Sequence, residues 1–190
     1  MRPSDAGALR CFVALLPDAD ARDRLDRLGA AMHGSCLGSR RVRADNLHLT
    51  LAFIGAIPAA RAQAVAVALA AEPAQPFDFT LDAIDAFAGA RVLFAGCAQP
   101  PASDSPLARC AAQVRAQLTA LDVAFDRKPF VPHVTLLRNL ARSDAPRLRS
   151  DITPPIRWRA STPRLMQSRQ TPDGLRYLPI AVDARIPPSA

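Results

Sequence analysis

The sequence predicts an α+β fold, bilobal and duplicated, with mainly antiparallel sheets lining a central cleft and helices outside. Three observations predict it. Short alternating apolar runs are interleaved with amphipathic helical segments, without the regular βαβ spacing of a doubly wound sheet. The order strand, helix, strand recurs twice. Each recurrence ends in the same tetrad, His-x-Thr-Leu, at His48 and again at His133, 85 residues apart and close to half of the 190-residue chain. Duplication would put the two histidine strands in equivalent places in two lobes of one domain spanning 1–190.

The elements follow in order. Residues 11–16 (CFVALL) are an apolar run stopped by Pro17, as suits a buried strand. Asp18 is a helix-capping residue, and Leu25, Leu28 and Met32 form one apolar stripe of a helix reaching His33. Gly34 to Ser39 reads as a loop. In residues 46–55, Leu47, Leu49, Leu51 and Phe53 alternate with His48, Thr50 and Ala52, the signature of a strand with one buried face. Pro58 opens an alanine-rich helix to about Ala71. Segments 77–87 and 91–97 read as a hairpin turning near Gly89, and Ser105-Pro106 opens a third helix to Leu121. After the proline-flanked stretch 128–132 comes the strand 133–138. A short helix is expected over 143–150, and two closing strands over 156–168 and 175–184, around the turn Pro172-Asp173-Gly174.

Composition narrows the function classes. With 49% hydrophobic and 22% charged residues, the chain is an ordinary globular one, neither disordered nor built for lipid. No apolar run approaches the ~18 residues of a spanning helix, and the N-terminal stretch is interrupted by Asp5 and Arg10, so a cytoplasmic location and no membrane partner are expected. The four cysteines (Cys11, Cys36, Cys97, Cys110) form no CxxC pair and read as reduced, inert thiols. A net charge of +7 suits an anionic partner such as nucleic acid. Nearly all of it is arginine, however, and genomic base composition can produce that unaided. There is no Walker loop, no GxSxG, no dinucleotide fingerprint and no carboxylate cluster for a divalent ion, so no metal and no cofactor are expected. Asp78, Asp82 and Asp85 read as solvent-facing strand residues, and Arg41 and Arg43 as either surface charge or nucleic-acid contacts.

The chemistry lies in the paired tetrads. Alternation sends Leu47, Leu49 and Leu51 inward and His48 and Thr50 outward; it does the same for Val134 and Leu136 against His133 and Thr135. Side chains two residues apart on a strand stand roughly 6.5–7 Å apart and reach one bound group. A single His-x-Thr is common. With three histidines and seven threonines, chance supplies only about 0.1 such triplets; two are present, both followed by leucine and both in alternating runs. Breaking a phosphodiester needs a base for the nucleophile and an acid for the departing oxygen, and histidine serves as either near neutrality. A threonine hydroxyl beside each would steady the charge growing on the phosphoryl oxygens, and Arg138 would add a cationic clamp. Tyr177 and Phe130 are candidates for stacking on a base. His33, at a helix end, reads as exposed or capping.

These residues carry a resemblance to the two-histidine (2H) phosphoesterase superfamily, specifically the bacterial RNA 2′,3′-cyclic phosphodiesterase or 2′-5′ RNA ligase family, over almost the whole chain. Arg10-Cys11-Phe12-Val13-Ala14 resembles the family's opening strand, Asn46 to Leu51 its first HxTx motif, Pro129 to Leu136 with Arg138 its second, and Ser168-Arg169 with Gly174 to Tyr177 its C-terminal hairpin. Leu137 and Gln167 depart from it, where a small and an acidic residue are usual. The resemblance implies metal-free hydrolysis of RNA 2′,3′-cyclic phosphate ends to 2′-phosphomonoesters, with His48 as proton donor, His133 as proton acceptor, Thr50 and Thr135 beside them, and Arg138, Tyr177, Phe130 and Arg10 touching substrate. Run backwards, the pair would join such an end to a hydroxyl. The expected partner is an RNA or nucleotide ending in a 2′,3′-cyclic phosphate, and the expected state a monomer. Two other readings stay open: an RNA-binding module without turnover, and a phosphodiesterase for a small cyclic or 2′-5′ linked nucleotide.

Overall fold

The computed structural model describes residues 7–141, 143–144 and 148–182. The chain runs through β1 (Ala8–Leu15), α1 (Ala19–Gly34), β2 (Arg40–Arg41), a 3-10 turn (Ala44–Asn46), β3 (Leu49–Pro58), α2 (Ala59–Ala71), β4 (Phe77–Phe87) and β5 (Val92–Gly96). It continues with α3 (Pro106–Ala120), β6 (His133–Arg138), β7 (Ser150–Ala160), β8 (Arg164–Thr171) and β9 (Gly174–Pro179). The strands form one nine-stranded sheet in the order β7-β4-β5-β6-β3-β1-β8-β9, with β2 beside β6, and every pairing is antiparallel. The expected α+β class and mainly antiparallel pairing are what the fold has.

The two halves of this sheet meet where the histidine strands do, and the β3/β6 ladder has a single partnered position, Leu49 opposite Val134. The duplication is therefore visible as two four-strand groups sharing a narrow seam. Helices cover the face that carries Leu49, Leu51, Val134 and Leu136, all at most 1% exposed. Into that core α1 sends Ala21 and Leu25, α2 sends Val65 and Leu69, and α3 sends Leu107, Val114 and Leu118. Their starts follow from local chemistry. Asp18 Oδ1 accepts from the Ala21 N–H at 2.8 Å, and Ser105 Oγ accepts from the Ala108 N–H at 3.2 Å with Pro106 in the first turn, caps worth about 1 kcal/mol each. Asp18 also accepts from the Arg159 N–H at 3.0 Å, which ties the start of α1 to β7.

Two expectations need correction. The closing strand predicted over 156–168 is two strands: β7 pairs with β4 in one half and β8 with β1 in the other. The chain crosses between the halves at Ser161-Thr162-Pro163, where the proline removes a ladder donor. The helix expected over 143–150 is not found at its described positions; 143–144 are a turn and Ser150 already belongs to β7, while 142 and 145–147 lie outside the described residues. Of the strand predicted over 175–184, residues 175–179 belong to β9, and 183 and 184 lie outside the described residues. The hairpin around Pro172-Asp173 is as read, with Thr171 opposite Gly174 and Gly174 at φ 101°, a conformation that glycine adopts without strain.

Alternation also breaks inside the motif strands, by one device used twice. Opposite β1, Thr50 partners Ala14 and Ala52 partners Val13, so Leu51 is an extra residue. Opposite β5, Thr135 partners Phe94 and Leu137 partners Leu93, so Leu136 is the extra one, 85 positions later. Each bulge reverses the phase of the residues that follow it, in β3 until a second register shift at Ile54. Ala52 and Leu137, outward by simple alternation, are buried at 2% and 0%. Phe53 and Arg138 turn out onto the histidine face instead.

Candidate active site

On the face opposite the helices, the antiparallel seam puts His48 across from Thr135 and Thr50 across from His133, since each pair flanks the partnered Leu49 and Val134. His48 sits just before β3, delivered by the 3-10 turn; His133 opens β6. Both imidazoles are held alike. His48 Nδ1 donates to the Asn46 carbonyl at 2.7 Å and His133 Nδ1 donates to the Val131 carbonyl at 2.8 Å, each to the residue two positions earlier. A carbonyl only accepts, so Nδ1 carries the proton in both rings and Nε2 is left with a lone pair for a ligand. Each ring is wedged between two aromatics. Phe12 and Tyr177 lie 4.7 and 4.9 Å from His48, and Phe87 and Phe94 lie 5.0 and 5.5 Å from His133, centroid to centroid.

The surroundings disfavour a charged imidazole. Burial pulls His48 down to about 4; the Asn46 carbonyl opposes this, and the positive charge of Arg138 and the neighbouring His133 add to it. His133 is lowered too, by burial first and by Arg138 next, against its own carbonyl partner. Arg138 thus acts on both rings. Its outward turn is the work of the bulge at Leu136, because the odd spacing from His133 would otherwise send it into the core.

The other expected contacts divide between the two flanks. Tyr177 stands against His48 and Phe12. Arg10 lies two residues before Phe12 on β1, its guanidinium 4.9 Å over the Phe53 ring. Phe130 is on the opposite flank, walling a cavity beside His133. Next to His48 is a basic recess of about 150 Å³ whose lining includes Arg40, Arg41, Arg43, Arg138 and Tyr177; two of these arginines carry ion pairs, Arg41 to Asp26 and Arg43 to Asp45, at 3.4 and 3.8 Å. His33 lies away from the site, its Nδ1 3.0 Å from Ser39 Oγ. The aspartates expected to face solvent are partly engaged: Asp85 holds Arg149 through two contacts at 2.8 and 2.5 Å, and Asp82 accepts from the Ala98 N–H at 2.6 Å. Cys11, Cys36 and Cys110 are buried free thiols, and burial raises Cys11 and Cys110 to about 11.

Sequence reasoning missed Asn46, which is 7% exposed. Its Nδ2 donates to the Leu175 carbonyl at 2.8 Å and its Oδ1 accepts from the Tyr177 N–H at 3.0 Å. One side chain therefore docks β9 against the strand that carries His48. An asparagine two places before a catalytic-type histidine was the available signal. Phe12, Phe87 and Phe94 were missed as well, because a phenylalanine in an apolar run reads as core. Gly96 is a fifth, partnered with His133: a Cβ there would meet Phe94 Cε2 at 2.9 Å and the Pro132 carbonyl at 3.0 Å, so its bareness lets Phe94 lie against His133.

Comparison with known proteins agrees with this geometry. The family model of the 2′-5′ RNA ligase superfamily matches residues 17–172, spanning both histidine strands. The chain belongs to that superfamily. Within the superfamily, the RNA 2′,3′-cyclic phosphodiesterase of Escherichia coli strain K12 is 36% identical over 135 residues, 70% of this chain and 74% of that one. Crystal structures of E. coli LigT, apo and with 3′-AMP, superpose with TM-scores of 0.73 and 0.72 at 28% identity, covering 92% of this chain and 96% of that one. Among the described residues no helix is long and apolar enough to cross a membrane, and no three His, Cys, Asp or Glu side chains are grouped as they would be around a metal ion.

Proposed function

We propose that this member of the superfamily is an enzyme that hydrolyses RNA 2′,3′-cyclic phosphodiester ends to 2′-phosphomonoesters, using His48 and His133 as a metal-free acid/base pair. The observation that carries this reading is the matched presentation of the two rings: both are anchored through Nδ1, both leave Nε2 without a hydrogen bond among the described residues, and both stand on one face across a single seam under the field of Arg138. Two fixed nitrogens facing one phosphate are what a displacement at phosphorus needs, one for each end of the line of attack.

His133 Nε2 takes the proton of the attacking water as its oxygen bonds to phosphorus. The bond from phosphorus to the 3′ oxygen breaks, and His48 Nε2–H protonates that oxygen. The phosphate stays on the 2′ position. His48 is neutral in the free protein at neutral pH, so its proton enters with the substrate, whose negative charge offsets Arg138 and the burial of the ring. Thr50 and Thr135 donate to the non-bridging oxygens, and Arg138 neutralises their charge. Tyr177, Phe130 and Arg10 contact the nucleoside portions. The relatives' names support the substrate class: the E. coli protein is called an RNA 2′,3′-cyclic phosphodiesterase, and LigT has been crystallised with 3′-AMP. With a hydroxyl in place of water as the nucleophile, the same pair joins a cyclic end to that hydroxyl, a 2′-5′ ligation. The chain acts as one bilobal domain and as a monomer, since both histidines come from it, and its place is the cytoplasm, where RNA ends of this kind are met.

The test is turnover of a short RNA ending in a 2′,3′-cyclic phosphate in the presence of EDTA, comparing the natural chain with His48→Ala and His133→Ala and locating the product phosphate. Loss in both variants with a 2′-phosphate product supports the reading. Binding without turnover at any pH overturns it in favour of an RNA-binding module, and restoration only by a divalent ion overturns the metal-free mechanism. Sedimentation of the pure chain checks the monomer, and fractionation of its host checks the compartment.

A further inference from the structure

Arg40 and Arg138 stand side by side on the histidine face. β6 has β5 along one edge; along the other, β3 meets its start at Val134 and β2 meets its end, with Arg40 opposite Arg138 and Arg41 opposite Leu137. Residues directly opposite in an antiparallel pair send their side chains to the same face. Leu137 is fully buried on the helix side, and Arg41 goes with it, lying against Gly29 of α1 and pairing with Asp26 at 3.4 Å. Arg138 turns to the histidines, so Arg40 does too. Two like charges directly opposite each other destabilise a sheet, and among the described residues neither of these guanidiniums carries an ion pair.

Both line the recess of about 150 Å³ beside His48, together with Asn46, Leu175 and Tyr177. That is the volume of about five waters, enough for a phosphoryl group and too small for a nucleoside. Positive charge is in excess there: Arg43 shares Asp45 with Arg176, at 3.8 and 3.2 Å, and Asp173 is the one carboxylate in the described lining. The reaction proposed above, on which this inference rests, puts the ribose of the cyclic nucleotide on the His48 flank, because His48 protonates its departing 3′ oxygen. Besides the cyclic phosphate, the one anionic group which that ribose carries in RNA is the phosphoryl on its 5′ oxygen. Neighbouring strands lie about 4.8 Å apart, so Arg40 is offset by one strand from Arg138. We infer that Arg40 holds the phosphoryl on the 5′ oxygen of the cyclised nucleotide, and that this recess makes the enzyme select cyclic ends bearing such a group over a bare nucleoside cyclic phosphate. The guanidinium fork matches two phosphoryl oxygens, and the arriving anion relieves the repulsion between Arg40 and Arg138.

Three substrates test the subsite: adenosine 2′,3′-cyclic phosphate, the same nucleotide with a 5′ phosphate, and the adenylyl-adenosine dinucleotide with the same cyclic end. For the natural chain, kcat/KM should be at least about ten-fold higher for the second and third than for the first, and Arg40→Gln should bring the three to within about two-fold of one another; a thermal melt confirms that the variant is folded. Equal values on all three for the natural chain overturn the subsite, and so does a preference confined to the dinucleotide, which places the contact on the second nucleoside. A loss in Arg40→Gln that falls equally on all three overturns it as well, since Arg40 then acts on the scissile phosphate or through Arg138. Product binding separates the subsite from the reaction it rests on. Adenosine 2′,5′-bisphosphate should bind the natural chain about ten-fold more tightly than adenosine 2′-phosphate, and Arg40→Gln should abolish that margin, as titration calorimetry reads it. A chain that turns over none of the three substrates refutes the proposed reaction, and the margin in product binding then still decides the subsite.

Discussion

The two flanks of the groove share a skeleton and differ in what they hang on it. In each, a histidine is anchored to the carbonyl two residues back, a threonine follows, and a leucine bulges out of register. The residue that each bulge turns outward is different: Arg138 on the His133 strand and Phe53 on the His48 strand, 38% exposed with Arg10 over its ring. Duplication thus supplied two equally anchored imidazoles, and divergence at one equivalent position put a positive charge on one strand and an aromatic plate on the other. What a two-fold site needs to be equal is the geometry of its nitrogens; a substrate that is itself asymmetric requires everything around them to differ.

The comparison can be tested first at what the flanks share. His48→Ala and His133→Ala should each lower kcat by about 10²–10⁴-fold, the ordinary worth of a positioned acid or base; a large loss in only one would mean that the two imidazoles are not equivalent, and single-turnover kinetics would read it. Next comes the position at which they differ. Arg138→Met is expected to cut kcat/KM about 10²-fold, whereas Phe53→Leu should act on KM by less than about ten-fold, as lost stacking does; steady-state kinetics on one cyclic-phosphate RNA separates the two. At the seam, Leu49→Ala empties a fully buried site and should cost about 2–5 kcal/mol of stability, read by denaturant unfolding. Asn46→Ala leaves the Tyr177 N–H and the Leu175 carbonyl without their partner and should cost about 1–3 kcal/mol, with the Tyr177 ring signal losing its contact shift from His48.

A further test of the His48 flank is in pH. His48 is held near 4 in the folded chain and titrates at about 6.5 when unfolded, so between these values the unfolded chain binds more protons and stability falls as pH falls. Above about 6.5 this contribution is fully present. Thermal melts from pH 7 to pH 4 should show that decline, and His48→Phe should flatten it. Because both rings are pulled down while one must carry a proton to act, kcat/KM should follow a bell whose maximum lies on the acid side of neutrality.

Most of the fold was readable because its elements advertise themselves. Asp18, Ser105-Pro106 and Pro58 mark helix starts, and the alternation around His48 and His133 marks the strands. Both motif pairs were found from spacing and rarity alone. What stayed hidden were the two bulges, since a bulge is a decision of the pairing strand; Phe53 was read as inward, and the route of Arg138 to the groove had no cause in the sequence. The long closing strand was misread for the same reason, because nothing in 156–168 says that its halves belong to different neighbours. Asn46 was hidden because its partners, Leu175 and Tyr177, lie some 130 positions away.

That distance has a consequence for how the molecule comes into being. Ribosomal synthesis runs from the first residue to the last, and both histidines are already made by residue 133, yet the ring that flanks His48 and the strand that Asn46 grips arrive only at residues 174–179. A nascent chain therefore carries both nitrogens, and the Phe12 and Asn46 contacts of the first, long before the Tyr177 ring reaches it. The surroundings of His48 are therefore completed by β9, the last of the described strands, long after the ring itself has been made.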